Sequence, residues 1–290
     1  GDLTVNRRAA QIIPSVQEKD YGDVHDLGDT AFTVVDRDGG ALPNGETVNT
    51  VTLVSENGID ASTDANVGTY ADNISVTPTS TGDSTITGSG NFNQDNYTFS
   101  YDTGDLTINL ANLTITGITG DNKVYDGTTD ATASGTPVLS GVVSDDDVVL
   151  GGTPVFTFAS AELGTDIQIT TTGFIITGAD SGNYTLIQPT LSGDITAKEL
   201  TITGITGGDK VYDDTTAAIA SGTATLLGVE AGDDVILRGS PVFTFASANV
   251  GTGITINTSG YTISGTDSGN YTLTQPTLSG DITAKELTIT

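Results

Sequence analysis

The chain of 290 residues has no cysteine, no methionine and no tryptophan, and it has a single histidine. The missing cysteines exclude a disulfide framework, a thiolate zinc site, an iron–sulfur cluster and a cysteine nucleophile. One histidine excludes a multi-histidine metal centre within one chain. Basic side chains are scarce too: 9 Lys and Arg stand against 37 Asp and Glu, a formal net charge of -28. A nucleic-acid binder needs a basic footprint to neutralise phosphates, and the same balance repels anionic lipid. No run approaches the ~18 apolar residues of a membrane-spanning helix. The opening Gly1-Asp2-Leu3-Thr4-Val5 has neither the basic nor the apolar region of a signal peptide, so an export signal is expected outside this segment.

Charged residues make up only 16%, against ~25% in ordinary globular domains. Polarity is therefore carried by Thr, Ser, Asn and Gly. Of the 37 acids, 30 are Asp. Asp competes for backbone groups in turns and caps, whereas Glu suits helix interiors, so the balance points to strands and turns.

A repeat organises the rest. Leu-Thr-Ile-Thr begins at Leu113, Leu200 and Leu287, each 87 residues after the last. Residues 113–199 and 200–286 align without a gap and share 62 of 87 residues. The first part of the chain keeps the same landmarks in the same order. Lys19, Tyr21 and Asp23 match Lys123, Tyr125, Asp126 and Lys210, Tyr212, Asp213. Asn66-Val67-Gly68-Thr69-Tyr70 matches Glu162-Leu163-Gly164-Thr165 and Asn249-Val250-Gly251-Thr252. Asn96-Tyr97-Thr98 matches Asn183-Tyr184-Thr185 and Asn270-Tyr271-Thr272. The expected organisation is the tail of a preceding module (1–5), a diverged module (6–112), two repeats (113–199 and 200–286) and the start of another (287–290), as in a piece of a longer array.

These motifs carry a resemblance. Lys-Val-Tyr-Asp-Gly at 123–127, Ser-Gly-Asn-Tyr-Thr-Leu at 181–186 and the closing Gly-Asp-Ile-Thr-Ala-Lys-Glu at 193–199 resemble the YDG-type repeats of large bacterial surface proteins. Residues 18–23, 66–70 and 96–108 resemble the related MBG-type repeat. The resemblance implies exported adhesins of the filamentous-haemagglutinin-like kind, in which such repeats form stalks. One position departs: Asp214 replaces the Gly of the motif, which questions any need for a positive φ there.

Within a module, Leu113, Ile115 and Gly117 alternate with Thr114 and Thr116, and Ile167 and Ile169 alternate with Asp166, Gln168 and Thr170. Period 2 in Val, Ile, Thr, Phe and Tyr between Gly, Pro and Asp-Ser-Gly-Asn turns predicts short strands. Pro154, Pro189, Pro241 and Pro276 are expected at strand edges or starts. Residues 160–164 and 247–251 are each long enough for one helical turn. The predicted fold class is all-β: tandem elongated modules, sandwich-like or β-grasp-like, joined end to end into a rod. At the junctions the inward parity changes, from Ile195 and Ala197 to Leu200 and Ile202, and from Leu106, Ile108 and Leu110 to Leu113 and Ile115. One extended segment can then finish one module's core and begin the next. The Gly-x-Tyr at 68–70 is reminiscent of a tyrosine corner.

Three kinds of site follow from residue type. Asp194, Glu199, Asp209, Asp213 and Asp214 are the candidate ligands of a calcium ion at a module junction, since extracellular modules stiffen joints with oxygen ligands. Asp146 with Asp147, and Asp233 with Asp234, form a second paired set. Against calcium, no EF-hand loop is present, and surface Asp also serves solubility and self-repulsion. Lys123 and Lys210, with Asn183 and Asn270, have the groups of an intramolecular isopeptide bond; a structural Lys–Asp pair beside a buried Tyr ring is the plainer reading. His25 lies among acids but in one module of three, and no catalysis and no other cofactor is expected. The expected function is a stalk or spacer of a secreted bacterial surface adhesin, whose partners are its neighbouring modules. The alternatives are repeated modules binding carbohydrate or protein by avidity, with surface polysaccharide as a partner, and a filament segment pairing with other copies.

Overall fold

The computed structural model describes residues 4–77 and 86–288. Parts of the expected tail (1–3), of the diverged module (78–85) and of the last repeat start (289–290) lie outside the described residues. Among the described residues all extended structure is β, 24 strands with five single 3-10 turns between them. The fold is all-β, as the alternation predicts. In the strand Gly104–Asn109, Leu106 and Ile108 face the core while Asp105, Thr107 and Asn109 between them are half-buried. In the strand Ala111–Gly120, Leu113 and Ile115 are buried and Thr114 and Thr116 exposed.

The modules share one plan. A three-stranded sheet has the module's first strand in the middle: Arg8–Pro14, Ala111–Gly120 or Lys198–Gly207. On one side lies a later strand, Phe32–Asp36 or Ala220–Leu227, antiparallel in the pairs Ala10↔Asp36 and Thr201↔Leu227. On the other lies the Asn-Tyr-Thr strand, parallel, with Arg8↔Tyr97, Ala111↔Tyr184 and Lys198↔Tyr271. A second sheet begins with the Lys-x-Tyr strand at its edge. That strand is parallel to the module's last one, in the pairs Lys19↔Ile108, Lys123↔Ile195 and Lys210↔Ile282. First and last strands therefore lie side by side in both sheets.

Two expectations are corrected. Residues 160–164 and 247–251 are bends ending in strand, and the helical turns sit at Ser181–Asn183 and Ser268–Asn270. Pro154 and Pro241 lie inside strands Val149–Phe158 and Ile236–Phe245; at Pro241 the register shifts between Gly239 and Val242, so the missing N–H falls at a bulge.

The chain forms two compact units. Unit 1 comprises Gly1–Thr116, Pro137–Thr153 and Phe174–Gln188; unit 2 comprises Gly117–Thr136, Pro154–Gly173 and Pro189–Thr290. The residues of the first repeat are thus divided between them. In unit 1 one core gathers Tyr21 and Ile108 of the diverged module with Leu113 and Tyr184 of the repeat. In unit 2 the corresponding core gathers Tyr125, Phe158, Ile169 and Ile195 of the first repeat with Leu200 and Tyr271 of the second. The parity change thus places Ile195 and Leu200 in a single core shared by both repeats.

Glycine is required where strands of the three-stranded sheet bulge. Between Thr203 and Ile205 the register shifts, and Gly204 (φ 81) faces Gly222 (φ 102). A Cβ on Gly222 would lie 2.2 Å from the Gly204 carbonyl oxygen. Gly222→Ala is expected to destabilise the protein by about 1–3 kcal/mol, read as a lower urea midpoint at unchanged slope.

Candidate functional site: a tyrosine–aspartate clasp

The three landmark motifs meet at one place in each unit. The Lys-x-Tyr strand ends in a turn that the lysine holds. Lys123 Nζ donates to Asp126 Oδ1 (2.7 Å), to the Thr128 carbonyl (2.8 Å) and to the Asp130 carbonyl (2.9 Å). It also lies 5.6 Å from the centre of the Phe158 ring. Lys210 repeats this with Asp213 at 2.7 Å and the Thr215 carbonyl at 2.6 Å, over Phe245 at 5.7 Å. With the turn fixed, the tyrosine two residues on points inward.

In unit 1, Tyr21 donates to Asp146 Oδ2 at 2.9 Å, and Tyr184 donates to the same oxygen at 2.5 Å. The rings meet edge to face, 5.3 Å apart at 80°. The Tyr184 oxygen also accepts the Val143 N–H at 2.9 Å. Beside it, Asn183 accepts the Val67 N–H (3.1 Å) and donates to Asn66 Oδ1 (3.2 Å). Unit 2 has the same arrangement. Tyr125 and Tyr271 donate to Asp233 Oδ2 at 3.0 and 2.5 Å, the rings are 5.3 Å apart at 74°, and Tyr271 accepts the Glu230 N–H at 3.0 Å. Asn270 accepts the Leu163 N–H (3.0 Å) and donates to Glu162 Oε2 (2.6 Å). In both, one module supplies a tyrosine and the Gly-Thr turn, and the next supplies the carboxylate, the asparagine and the second tyrosine.

Hydrogen bonds to a charged acceptor contribute about 1.5–3 kcal/mol each, and edge-to-face rings about 0.5–1.5 kcal/mol beyond their area. Burial, and then donation to the carboxylate, hold Tyr184 and Tyr271 protonated and push them up to about 12, with Tyr21 and Tyr125 raised further still.

The five junction carboxylates do not converge. Asp194 accepts the Asp166 N–H at 2.9 Å, and Asp209 accepts the Asp281 N–H at 2.7 Å. Asn122, at the position of Asp209 in the first repeat, accepts the Asp194 N–H at 2.7 Å, so this place asks for an acceptor and not for a charge. Glu199 accepts the Thr274 hydroxyl. Asp213 is held by Lys210 and by the Thr215 N–H and hydroxyl, which lower it to about 2. Asp214 accepts the Tyr212 hydroxyl at 3.1 Å. Among the described residues no three His, Cys, Asp or Glu are grouped to hold a metal ion. Asp147 and Asp234 accept the N–H groups of Ala179 and Thr266, while their neighbours Asp146 and Asp233 form the clasps. Asp214 keeps the positive φ of its glycine counterpart, 64° against 74° at Gly127.

The other candidates are also placed. Lys123 and Lys210 each hold their own turn, and Asn183 and Asn270 each accept an N–H of the neighbouring module, with the partners given above. His25 Nε2 pairs with Gln17 Oε1 at 2.7 Å and not with an acid. Tyr70 donates to the Asn66 carbonyl at 2.7 Å, the bond that gives a tyrosine corner its name.

A tandem all-β chain whose repeats interlock through a recurring Tyr–Asp–Tyr contact is the class these observations define. The YDG domain matches residues 109–192 and again 196–278, together more than half of the chain, and the chain belongs to that family. No curated protein matches it.

Asp233→Ala leaves two buried phenols without an acceptor and is expected to cost about 3 kcal/mol, against about 1–2 kcal/mol for Tyr125→Phe. Denaturant unfolding measures both, and equal costs would contradict the shared acceptor. The pH dependence has a definite sign. A phenol raised from an unfolded value near 10 to about 12 stabilises fully below pH 10, and that contribution is lost as pH rises through 12. Absorbance titration at alkaline pH should show Tyr184 and Tyr271 ionising together with loss of strand structure, while Tyr212, which is only half-buried, ionises earlier.

Proposed function

We propose that this chain is a spacer segment of an exported bacterial surface adhesin, with residues 6–112 an MBG-like module followed by two YDG-type repeats. It projects a distal binding region from the cell for attachment to cells, matrix or surfaces. The observation that carries this reading is the clasp. Its chemistry is spent on joining one module to the next, and both examples spend it identically. Tyr125 is 4% exposed and its hydroxyl is engaged, which supports a structural use over a ligand-facing one. No stretch of Gly/Ser or Pro separates the modules, so stiff joints follow from shared cores. The charge of -28 then keeps neighbouring stalks soluble and apart.

A second reading rests on one repeated surface feature. A groove of about 470 Å³ lined by Ile118, Gln168, Thr190 and Leu191 recurs at about 530 Å³ beside Ile205, Thr255, Thr277 and Leu278. Weak sites repeated along a chain gain avidity, so the groove favours carbohydrate binding as the alternative.

Small-angle scattering of the chain with calcium and with a chelator tests the spacer. An extended particle of the same length in both conditions is expected. A compact particle overturns the reading, and bending on chelation would return calcium to the joints.

A further inference from the structure

The opening and closing stretches of a module form one parallel ladder that passes through both sheets. In the diverged module, residues 8–12 pair with 97–101 and residues 17–20 with 106–109. Every residue in both sets faces the one 89 positions on, so the register holds while the two stretches cross from one sheet to the other. Asp102 N–H donates to the Ile12 carbonyl and Tyr21 N–H to the Asn109 carbonyl, each at 2.9 Å. The second repeat repeats the plan with fewer pairs. Residues 198–200 pair with 271–273 and residues 210–211 with 282–283. Thr274 N–H and Tyr212 N–H donate to the Leu200 and Thr283 carbonyls, again at 2.9 Å. At the crossings the backbones touch. An added Cβ would lie 3.0 Å from the Pro14 carbonyl oxygen at Gly104, and 2.3 Å from the Ser279 carbonyl oxygen at Gly207.

Direction decides what such a ladder does under tension. A pull along the chain draws the start of the opening stretch away from the end of the closing one. Because the two stretches run parallel, these points lie at opposite ends of the ladder, and the load runs along the strands. The ladder bonds are then sheared together, and none is peeled first. An antiparallel arrangement would put both points at one end and open bond by bond.

We propose that each of these ladders is a tension lock, a force-bearing function built into the module: under a pull along the chain the module stays folded until the whole ladder fails at once. The locks differ in strength. Nine residue pairs hold the diverged module, five in one sheet and four in the other, against five in the second repeat, three and two. The clasps stand at lock ends. Tyr21 follows the last pair of the diverged module's ladder, and Tyr271 sits opposite Lys198 in the first pair of the second repeat's. A phenol fixed to Asp146 or Asp233 therefore keeps that end of the ladder from fraying. Resistance to force follows the unfolding rate and not the equilibrium stability, so the lock is a separate property from the stability of the clasp. It rests on strand direction and not on the spacer reading: a compact particle in scattering would end that reading and leave the lock in place.

Single-molecule stretching of the 290-residue chain, held at its two ends, tests this. The chain has no cysteine, so one cysteine added at each end is a unique handle. The stretch freed when a lock fails runs from residue 8 to 109 in the diverged module and from 198 to 283 in the second repeat. The first release is therefore longer by about 50–60 Å of extended chain, which identifies it. All-or-none releases are expected, the longest at the highest force. Thr274→Pro removes the N–H that meets Leu200 and is expected to speed one of the shorter releases about fivefold at fixed force. Thr274→Ala keeps that N–H, loses only the hydroxyl bond to Glu199, and is the reference. Should Thr274→Pro fold poorly by circular dichroism, the order of the wild-type releases still decides. Gradual lengthening without releases overturns the proposal. So does a longest release at no higher force than the shorter ones, or equal rates for folded Thr274→Pro and Thr274→Ala.

Discussion

A carboxylate drawn half out of water must be given back its hydrogen bonds, and Asp146 and Asp233 recover theirs from tyrosines that belong to two different modules. That requirement fixes much else. The donating tyrosine must stand at the end of a strand whose turn cannot wander, which is why a lysine ties the turn down, Lys123 to two carbonyls and a carboxylate and Lys19 to the carbonyls of Asp23, Ile59, Asp60 and Ser62. The second tyrosine must be held at its oxygen, which a backbone N–H does. The asparagine beside it must face the neighbouring Gly-Thr turn. Residues that look independent along the chain are therefore one cooperative contact, and the loss of the acceptor strands several donors at once.

The sheets serve this contact. In each module the Lys-x-Tyr strand and the last strand run parallel, side by side. The chain then leaves for the next module directly from the clasp region, and the core there is shared: Ile195 and Leu200 lie on either side of a module boundary and in one hydrophobic cluster. In the diverged module the same plan persists with Glu46 replacing Asp, which shows that the geometry asks for an anion on a wall and tolerates one more methylene.

Much of this was legible in the residues. The alternation of Leu113 and Ile115 with Thr114 and Thr116 is a strand pattern and became a strand, and the parity change marked where cores meet. The clasp was half visible. Asp146-Asp147-Val148 is an island of identity after three positions that differ between the repeats, a sign that those side chains do something specific. Residue type alone suggested a cation there, because paired Asp residues read the same whether they face a metal or a phenol; only the approach of a tyrosine from the preceding module separates the two. The five junction acids show the converse. They are close in sequence, yet each has a partner of its own, and Asn122 in the place of Asp209 reveals that a neutral acceptor suffices. Asp214 kept the left-handed backbone of its glycine counterpart because Asp is one of the few residues that tolerate it.

Each clasp takes its two halves from successive modules, and every repeat carries one of each. Deleting or duplicating any 87-residue stretch, wherever the cut falls within the two repeats, therefore rebuilds a complete contact at the seam. Genetic gain and loss of whole repeats leaves no mismatched interface behind, whereas loss of only the segment that carries Asp146 or Asp233 strands a tyrosine without its acid. The spacing of the repeat is in this sense a constraint on how such a gene can change length.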